Sequence, residues 1–184
     1  MRRMVKAAVA GAAGGVLVLG ATQLANGALP VATYKFEDQL TDLQTTTVGP
    51  FDGAEALVNL VEAPNGTSSF FLRVKGIDPS VAGEEFGAHL HLGVCRAGDP
   101  DAALGHYNTD KLAGISPAEV SPQTEVWFDL VPDADGVAVD QTLVPFITDR
   151  GISGERSVVI HMEATNETTG GAGPRHACLP LVFS

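Results

Sequence analysis

Phe86-Gly87-Ala88-His89-Leu90-His91-Leu92-Gly93 is an apolar run carrying two histidines at alternate positions. Successive side chains of a β-strand point to opposite faces, so as a strand this segment sets both imidazoles on one side. Two imidazoles on one face can hold one metal ion if further ligands arrive from elsewhere. The chain has five histidines in all. His106 follows in Gly105-His106-Tyr107-Asn108, and His161 closes Ser157-Val158-Val159-Ile160-His161. An isolated histidine in a β-protein is more often a satisfied hydrogen-bonding residue than a ligand. A His-x-His pair with two more histidines, in a chain with only one other, favours a metal. Imidazole suits copper and zinc, and copper binds tightest in the usual divalent order.

The same short-strand texture continues on both sides of this segment. Runs at 31–36, 55–62, 69–75, 86–93, 124–131, 137–143, 157–162 and 179–183 are separated by Gly, Pro, Asn and Asp. Ala63-Pro64-Asn65-Gly66 sits between two of them, and Asn-Gly between apolar runs is a strong hairpin signal. Asp133-Ala134-Asp135-Gly136 reads as a second hairpin-type turn. About eight strands with no amphipathic helix between them predict an all-β antiparallel sandwich or barrel. Gly170-Gly171-Ala172-Gly173-Pro174 is a short loop, and nothing marks a linker. One domain is expected over residues 28–184.

Residues 1–27 read as a secretory signal. Arg2, Arg3 and Lys6 precede an Ala/Val/Leu/Gly run at 7–20, and Ala25-Asn26-Gly27 offers small residues for cleavage. The run is short and Gly-rich for a spanning helix, which leaves a single uncleaved anchor as the weaker alternative, and none follows, so the mature protein is expected to be exported and free of the membrane. Losing the leader's three basic residues moves the formal charge from −11 to −14. Such a chain has no basic stripe to neutralise phosphates, which argues against nucleic acid and anionic membrane surfaces as partners. Asn65-Gly66-Thr67 and Asn166-Glu167-Thr168 also match the glycosylation pattern.

Cys95 and Cys178 are the only cysteines. In an exported protein two cysteines most often form one disulfide, with free thiols or metal ligation as the rival readings. Their separation lacks the close spacing of a zinc site. A bridge there would remove about 4–5 kcal/mol of unfolded-chain entropy in the loop-closure model.

Gly87-Ala88-His89-Leu90-His91, Gly105-His106-Tyr107-Asn108, Ser157-Val158-Val159-Ile160-His161 and Gly173-Pro174-Arg175-His176-Ala177-Cys178 together resemble the copper/zinc superoxide dismutase family. Order and strand context agree over roughly residues 55–184. The resemblance implies a Greek-key β-sandwich or barrel. It implies copper ligands at His89, His91, His106 and His161, an active-site arginine at Arg175, and a Cys95–Cys178 disulfide. Superoxide would be the substrate, and His106, at the family's metal-bridging position, would carry a proton in turnover.

The departures from the family are as informative. Its zinc site needs two more histidines in the loop after the bridging one, and 107–125 contains none. Asp129 aligns with the zinc aspartate, but His106 with one carboxylate is a poor zinc site, so zinc is not expected. His161 and Arg175 are fourteen residues apart, too close for the family's long charged loop. The chain is similar to the copper-only branch of the family. Without zinc, another group must orient His106. Asp110, Glu119, Glu125 and Asp129 are the carboxylates within reach in sequence. His176, next to Arg175 on an extended segment, is expected to point away from it as a structural or surface residue. The expected function is exported, copper-dependent superoxide dismutation. The alternative is a copper-binding or copper-buffering protein on the same scaffold.

Overall fold

A computed structural model describes residues 32–148 and 154–183. The expected leader at 1–27 lies outside the described residues.

Among the described residues nine strands build two antiparallel sheets: β1 (Ala32–Gln39), β2 (Thr41–Asp42), β3 (Glu55–Glu62), β4 (Ser68–Lys75), β5 (Phe86–His91), β6 (Trp127–Leu130), β7 (Val137–Val144), β8 (Gly154–His161) and β9 (Arg175–Phe183). One sheet has the order β1-β3-β4-β7 and the other β2-β9-β8-β5-β6. The chain leaves the first sheet after β4, makes β5 and β6 in the second, and returns as β7 beside β4. That crossing is of Greek-key kind, and the expected all-β sandwich is what forms.

Alternation decides what each strand buries. In β3 and β4, Val58, Leu60, Phe70, Leu72 and Val74 face inward, and Phe86, Ala88, Leu90, Phe128, Leu130, Val158, Ile160, Leu179 and Leu181 of the second sheet meet them in one core. Burying each large apolar side chain contributes about 1.5–3 kcal/mol relative to exposure. Since Ala88 and Leu90 belong to this core, His89 and His91 lie on the outer face of the same strand. That face is sealed by loops, so every residue of β5 is buried.

The Ala63–Gly66 turn joins β3 to β4 in register from Glu55↔Lys75 to Glu62↔Ser68. Gly66 takes φ 88°, the left-handed region its glycine permits. The turn at Asp133-Ala134-Asp135-Gly136 also forms, with the Asp133 amide donating to the Val137 carbonyl at 2.9 Å. The strands on either side of it belong to different sheets, however. It is a crossover between layers, and the hairpin pairing expected there is corrected.

Strand 124–131 contracts to Trp127–Leu130, because Thr124 and Glu125 turn to bond the segment after His106. The last strand extends back to Arg175, held by β8 on one side and by Thr41–Asp42 on the other. Those two short-strand residues, the 3-10 turns Pro79–Val81 and Pro100–Ala103, and the helical turn α1 (Thr109–Leu112) fall in segments that read as loops.

Candidate metal centre

Three backbone arrangements gather the four histidines. His89 and His91 share a face of β5. The chain then loops out and returns alongside the end of that strand. Leu92 N–H donates to the Gly105 carbonyl at 3.0 Å, Tyr107 N–H to the Leu90 carbonyl at 2.8 Å, and His91 and His106 form an antiparallel bridge. His161 ends β8, the neighbour of β5 on the other side, at a break in the β8–β9 register. There Arg175 and His176 together oppose His161, a bulge of the kind that re-aims side chains at a strand end.

The result is a compact imidazole cluster. One ring nitrogen from each of His89, His91, His106 and His161 lies within 4.8 Å of the other three. Ring centroids are 4.3 Å apart for His89–His106, 4.7 Å for His91–His106 and 4.9 Å for His89–His161. His89 and His91 are fully buried and His161 is 4 % exposed, whereas the His106 side chain keeps 18 % exposure. The cluster therefore meets solvent at His106.

The outward nitrogens are all held. His89 Nε2 faces Thr165 Oγ1 at 3.0 Å, His91 Nδ1 the Leu104 carbonyl at 3.1 Å, and His161 Nδ1 the Gly173 carbonyl at 3.1 Å. A carbonyl only accepts, so His91 and His161 carry their protons on Nδ1. Their inward nitrogens, His91 Nε2 and His161 Nε2, are buried without a hydrogen-bond partner, as is His89 Nδ1. Buried polar atoms without partners are rare and costly in native proteins. Three of them converging, with His91 and His161 presenting lone pairs, fit a metal ion of the class that imidazole binds. Burial first, then the neighbouring histidines, holds the His89 and His91 rings down to a pKa of about 2. Burial likewise brings His161 to about 4. These rings stay neutral at physiological pH, the form in which imidazole ligates.

His106 is oriented by Glu125. Its Nδ1 donates to Glu125 Oε2 at 2.7 Å, which leaves Nε2 for the cluster. Glu125 is 1 % exposed and also accepts from Trp127 Nε1 at 2.8 Å and Asn108 Nδ2 at 2.9 Å. Burial alone would raise this carboxyl, but the hydrogen bonds from His106, Asn108 and Trp127 outweigh it and hold the group below its usual value. Asn108 is fixed in turn by capping α1, its Oδ1 accepting from Lys111 N–H at 3.0 Å. Of the four carboxylates within reach in sequence, Glu125 alone meets His106. Asp110 accepts from the Glu119 amide at 3.0 Å and shapes the loop.

Asp129, the residue aligned with the family's zinc aspartate, stands apart from the His106 group. Its side chain is on the exposed face of β6, one strand position in from Leu130, and faces Thr165, Glu85 and Asp140. Burial, then the nearby Glu85 and Asp140 charges, raises its carboxyl. Among the described residues no second group of potential ligands forms at His106.

Thr165 is a site residue that no motif marks. It touches His89 Nε2 on one side and bonds Asp129 on the other. Gly87 is the indirect signal, because a Cβ there would lie 2.4 Å from Thr165 Oγ1. The short loop after His161 folds back on itself to bring Thr165 in. Met162 N–H bonds the Pro174 carbonyl at 3.0 Å and Glu163 N–H the Ala172 carbonyl at 3.0 Å.

Arg175 is half-buried and close enough for its charge to act on His91 and His161. Its Nη1 donates to the Pro100 carbonyl at 2.7 Å, and Gln44 Nε2 donates to its backbone carbonyl at 3.0 Å. Pro100 lies in the loop that the Cys95–Cys178 disulfide ties to β9. Cys178 packs with Leu43, Ala103 and Val159 in a small outer core, so the bridge and the arginine's anchor form one unit.

No family model matches the chain, and no curated protein matches it by sequence. Solved structures match it in fold. A Cu/Zn superoxide dismutase from Brucella abortus is 21 % identical with TM-score 0.55, over 81 % of this chain and 99 % of that one. A double mutant of a SOD-like protein from Bacillus subtilis is 17 % identical with TM-score 0.58, over 80 % and 97 %. The clock protein EA4 is 18 % identical with TM-score 0.54, over 78 % and 93 %. The chain has the β-sandwich fold shared by the Cu/Zn superoxide dismutases and SOD-like proteins, with a four-histidine cluster able to hold a metal.

Proposed function

We propose that this chain is an exported, copper-dependent superoxide dismutase. The observation that carries the reading is the convergence of His89 Nδ1, His91 Nε2 and His161 Nε2, buried and unpartnered, with the Glu125-oriented ring of His106. Copper held there would supply one-electron exchange with superoxide, giving oxygen in one half-reaction and hydrogen peroxide in the other.

The protein's own groups supply the rest. His89, His91 and His161 are locked by Thr165, Leu104 and Gly173, so their lone pairs stay aimed inward without reorganisation. His106 is the one ring open to solvent. With its Nδ1–H committed to Glu125, its Nε2 is the atom at which a proton can be held and passed on. Arg175 provides a positive fork for the superoxide anion, with one N–H spent on Pro100 and the others free to donate. The formal charge of −14 on residues 28–184 repels an anion overall, so a local cation beside the cluster has to focus the field.

Export of residues 28–184 after loss of 1–27 is part of the proposal. The Cys95–Cys178 disulfide supports it, because such bridges persist in oxidising compartments. Among the described residues no helix is long and apolar enough to cross a membrane.

The test is to load residues 28–184 with copper, measure bound metal, and follow superoxide decay for wild type and Arg175→Ala. Copper-dependent decay that falls at least about tenfold in the variant supports the enzyme. Tight copper without dismutation supports a copper-binding protein on this scaffold, and failure to bind copper removes both.

A further inference from the structure

At the start of β9, sharing no residue with the four-histidine cluster, a second set of ligand-type groups meets. One ligand atom from each of Asp42, Asp52 and His176 lies within 4.8 Å of the other two. We propose that these three residues bind a divalent transition-metal ion of zinc's class, fastening the loop between β2 and β3 to the strand that carries Arg175.

The central observation is His176. It is 2 % exposed, and its Nε2 is buried without a hydrogen-bond partner. Asp52 Oδ1 stands 3.3 Å away, near enough for a charge contact but not aligned as an acceptor. A buried imidazole nitrogen without a hydrogen bond, grouped with two carboxylates, lacks the one partner that would satisfy all three.

Both carboxylates are set in place by backbone. Asp42 Oδ1 accepts from the Gln44 amide at 2.7 Å and Asp52 Oδ2 from the Gly49 amide at 3.0 Å, so each keeps its other oxygen for a further partner. Among the described residues neither forms an ion pair with a lysine or arginine, so no such side chain offsets their mutual repulsion. One imidazole nitrogen and two carboxylate oxygens form the mixed donor set that zinc accepts, with a water completing the shell. The pocket is built closely around the ring. A Cβ on Gly49 would lie 1.8 Å from the imidazole, and the Phe51 ring packs against it with centroids 6.1 Å apart.

The position gives the ion a purpose. Leu43 N–H donates to the His176 carbonyl at 2.9 Å, and Gln44 donates to the Arg175 carbonyl. An ion joining Asp42 and Asp52 to His176 would therefore cross-link both ends of this loop to the backbone beside Arg175. The site shares no residue with the four-histidine cluster, so it stands or falls separately from the proposed dismutase.

Zinc stoichiometry by equilibrium dialysis and elemental analysis tests it, on metal-stripped wild type, Asp52→Asn, His176→Gln and His161→Ala. Wild type should hold two equivalents. Asp52→Asn, which keeps an oxygen for the Gly49 amide and so should fold, loses one, and His161→Ala loses the other. The second equivalent should also raise the melting temperature of wild type and leave that of Asp52→Asn unmoved. Zinc binding unchanged in Asp52→Asn overturns the site while leaving the four-histidine cluster intact. An equivalent lost in Asp52→Asn but none in His161→Ala upholds the site and shows that the four-histidine cluster takes no zinc, leaving its copper binding to the copper-loading test.

Discussion

His106 Nδ1 and Glu125 Oε2 stand 2.7 Å apart, with the carboxylate almost fully buried and gripped by Trp127 and Asn108 as well. A histidine in this position needs something to fix which nitrogen faces the cluster, and here a carboxylate does it.

Replacing Glu125 should therefore cost twice. Glu125→Ala strands the buried donors of Asn108 and Trp127, for about 2 kcal/mol or more of stability. It also frees the His106 tautomer, with copper affinity expected to fall about 10–100-fold. Denaturant melts and competitive copper titration read the two effects separately. Glu119→Ala, whose contribution to Asn108 is through its backbone carbonyl, should leave copper affinity near wild type.

Thr165 is expected to act through His89. Thr165→Val removes the oxygen that meets His89 Nε2 while keeping the shape, and copper affinity should drop by about tenfold or more. Thr165→Ser should restore it. Equal affinity for all three proteins would exclude a positioning role.

Acid should destabilise the metal-free protein. In the unfolded chain His89, His91 and His161 titrate near 6.5, whereas the fold holds them at about 2, 2 and 4. Below 6.5 the unfolded state binds protons that the native state refuses, so stability is complete above that pH and falls as the pH drops towards 4. Each group contributes up to about 1.4 kcal/mol per pH unit in that window. Glu125, whose carboxyl is lowered in the fold, loses stability in the same direction at still lower pH. Melting temperatures from pH 7.5 to 4.5 measure the slope, and a flat profile would refute it.

Gly49→Ala should be destabilising through a contact remote in sequence. Its new methyl group would fall 1.8 Å from the His176 ring, for a cost of about 1–3 kcal/mol. Gly105→Ala meets nothing within 4 Å and should stay within about 0.5 kcal/mol of wild type. Urea unfolding of the pair provides the comparison.

Loss of the disulfide should reach Arg175. Cys95→Ser with Cys178→Ser removes a bridge across 83 residues, typically worth 2–5 kcal/mol. The loop carrying the Pro100 carbonyl would loosen with it. Superoxide turnover per bound copper should then fall further than copper affinity, as measured on copper-loaded samples.

Alternation and turn residues carried most of this fold in the sequence. The period-two pattern of 55–62 and 69–75, with Asn65-Gly66 between them, specifies a hairpin locally, and the structure contains it. The pairing of His89 with His91 is equally local, since strand pleat alone puts them on one face. Other features depend on contacts that no neighbouring residue encodes. The turn at Asp133–Gly136 reads as a hairpin because its residues dictate only the reversal, while the core decides which sheet each flanking strand joins. Glu125 could not be separated from Asp110, Glu119 and Asp129 by position in the chain. It is selected because the Asn108–Glu125 bridge brings the segment after His106 against the entrance to β6. Thr165 has no signature beyond a glycine at 87 that leaves it room. His176 reads as structural or surface, yet the β8–β9 bulge turns it inward between two aspartates distant in sequence. Local pattern fixed the strands and the first two histidines. Tertiary packing, by bringing far segments into hydrogen-bond range, decided which groups hold those histidines and what else gathers beside them.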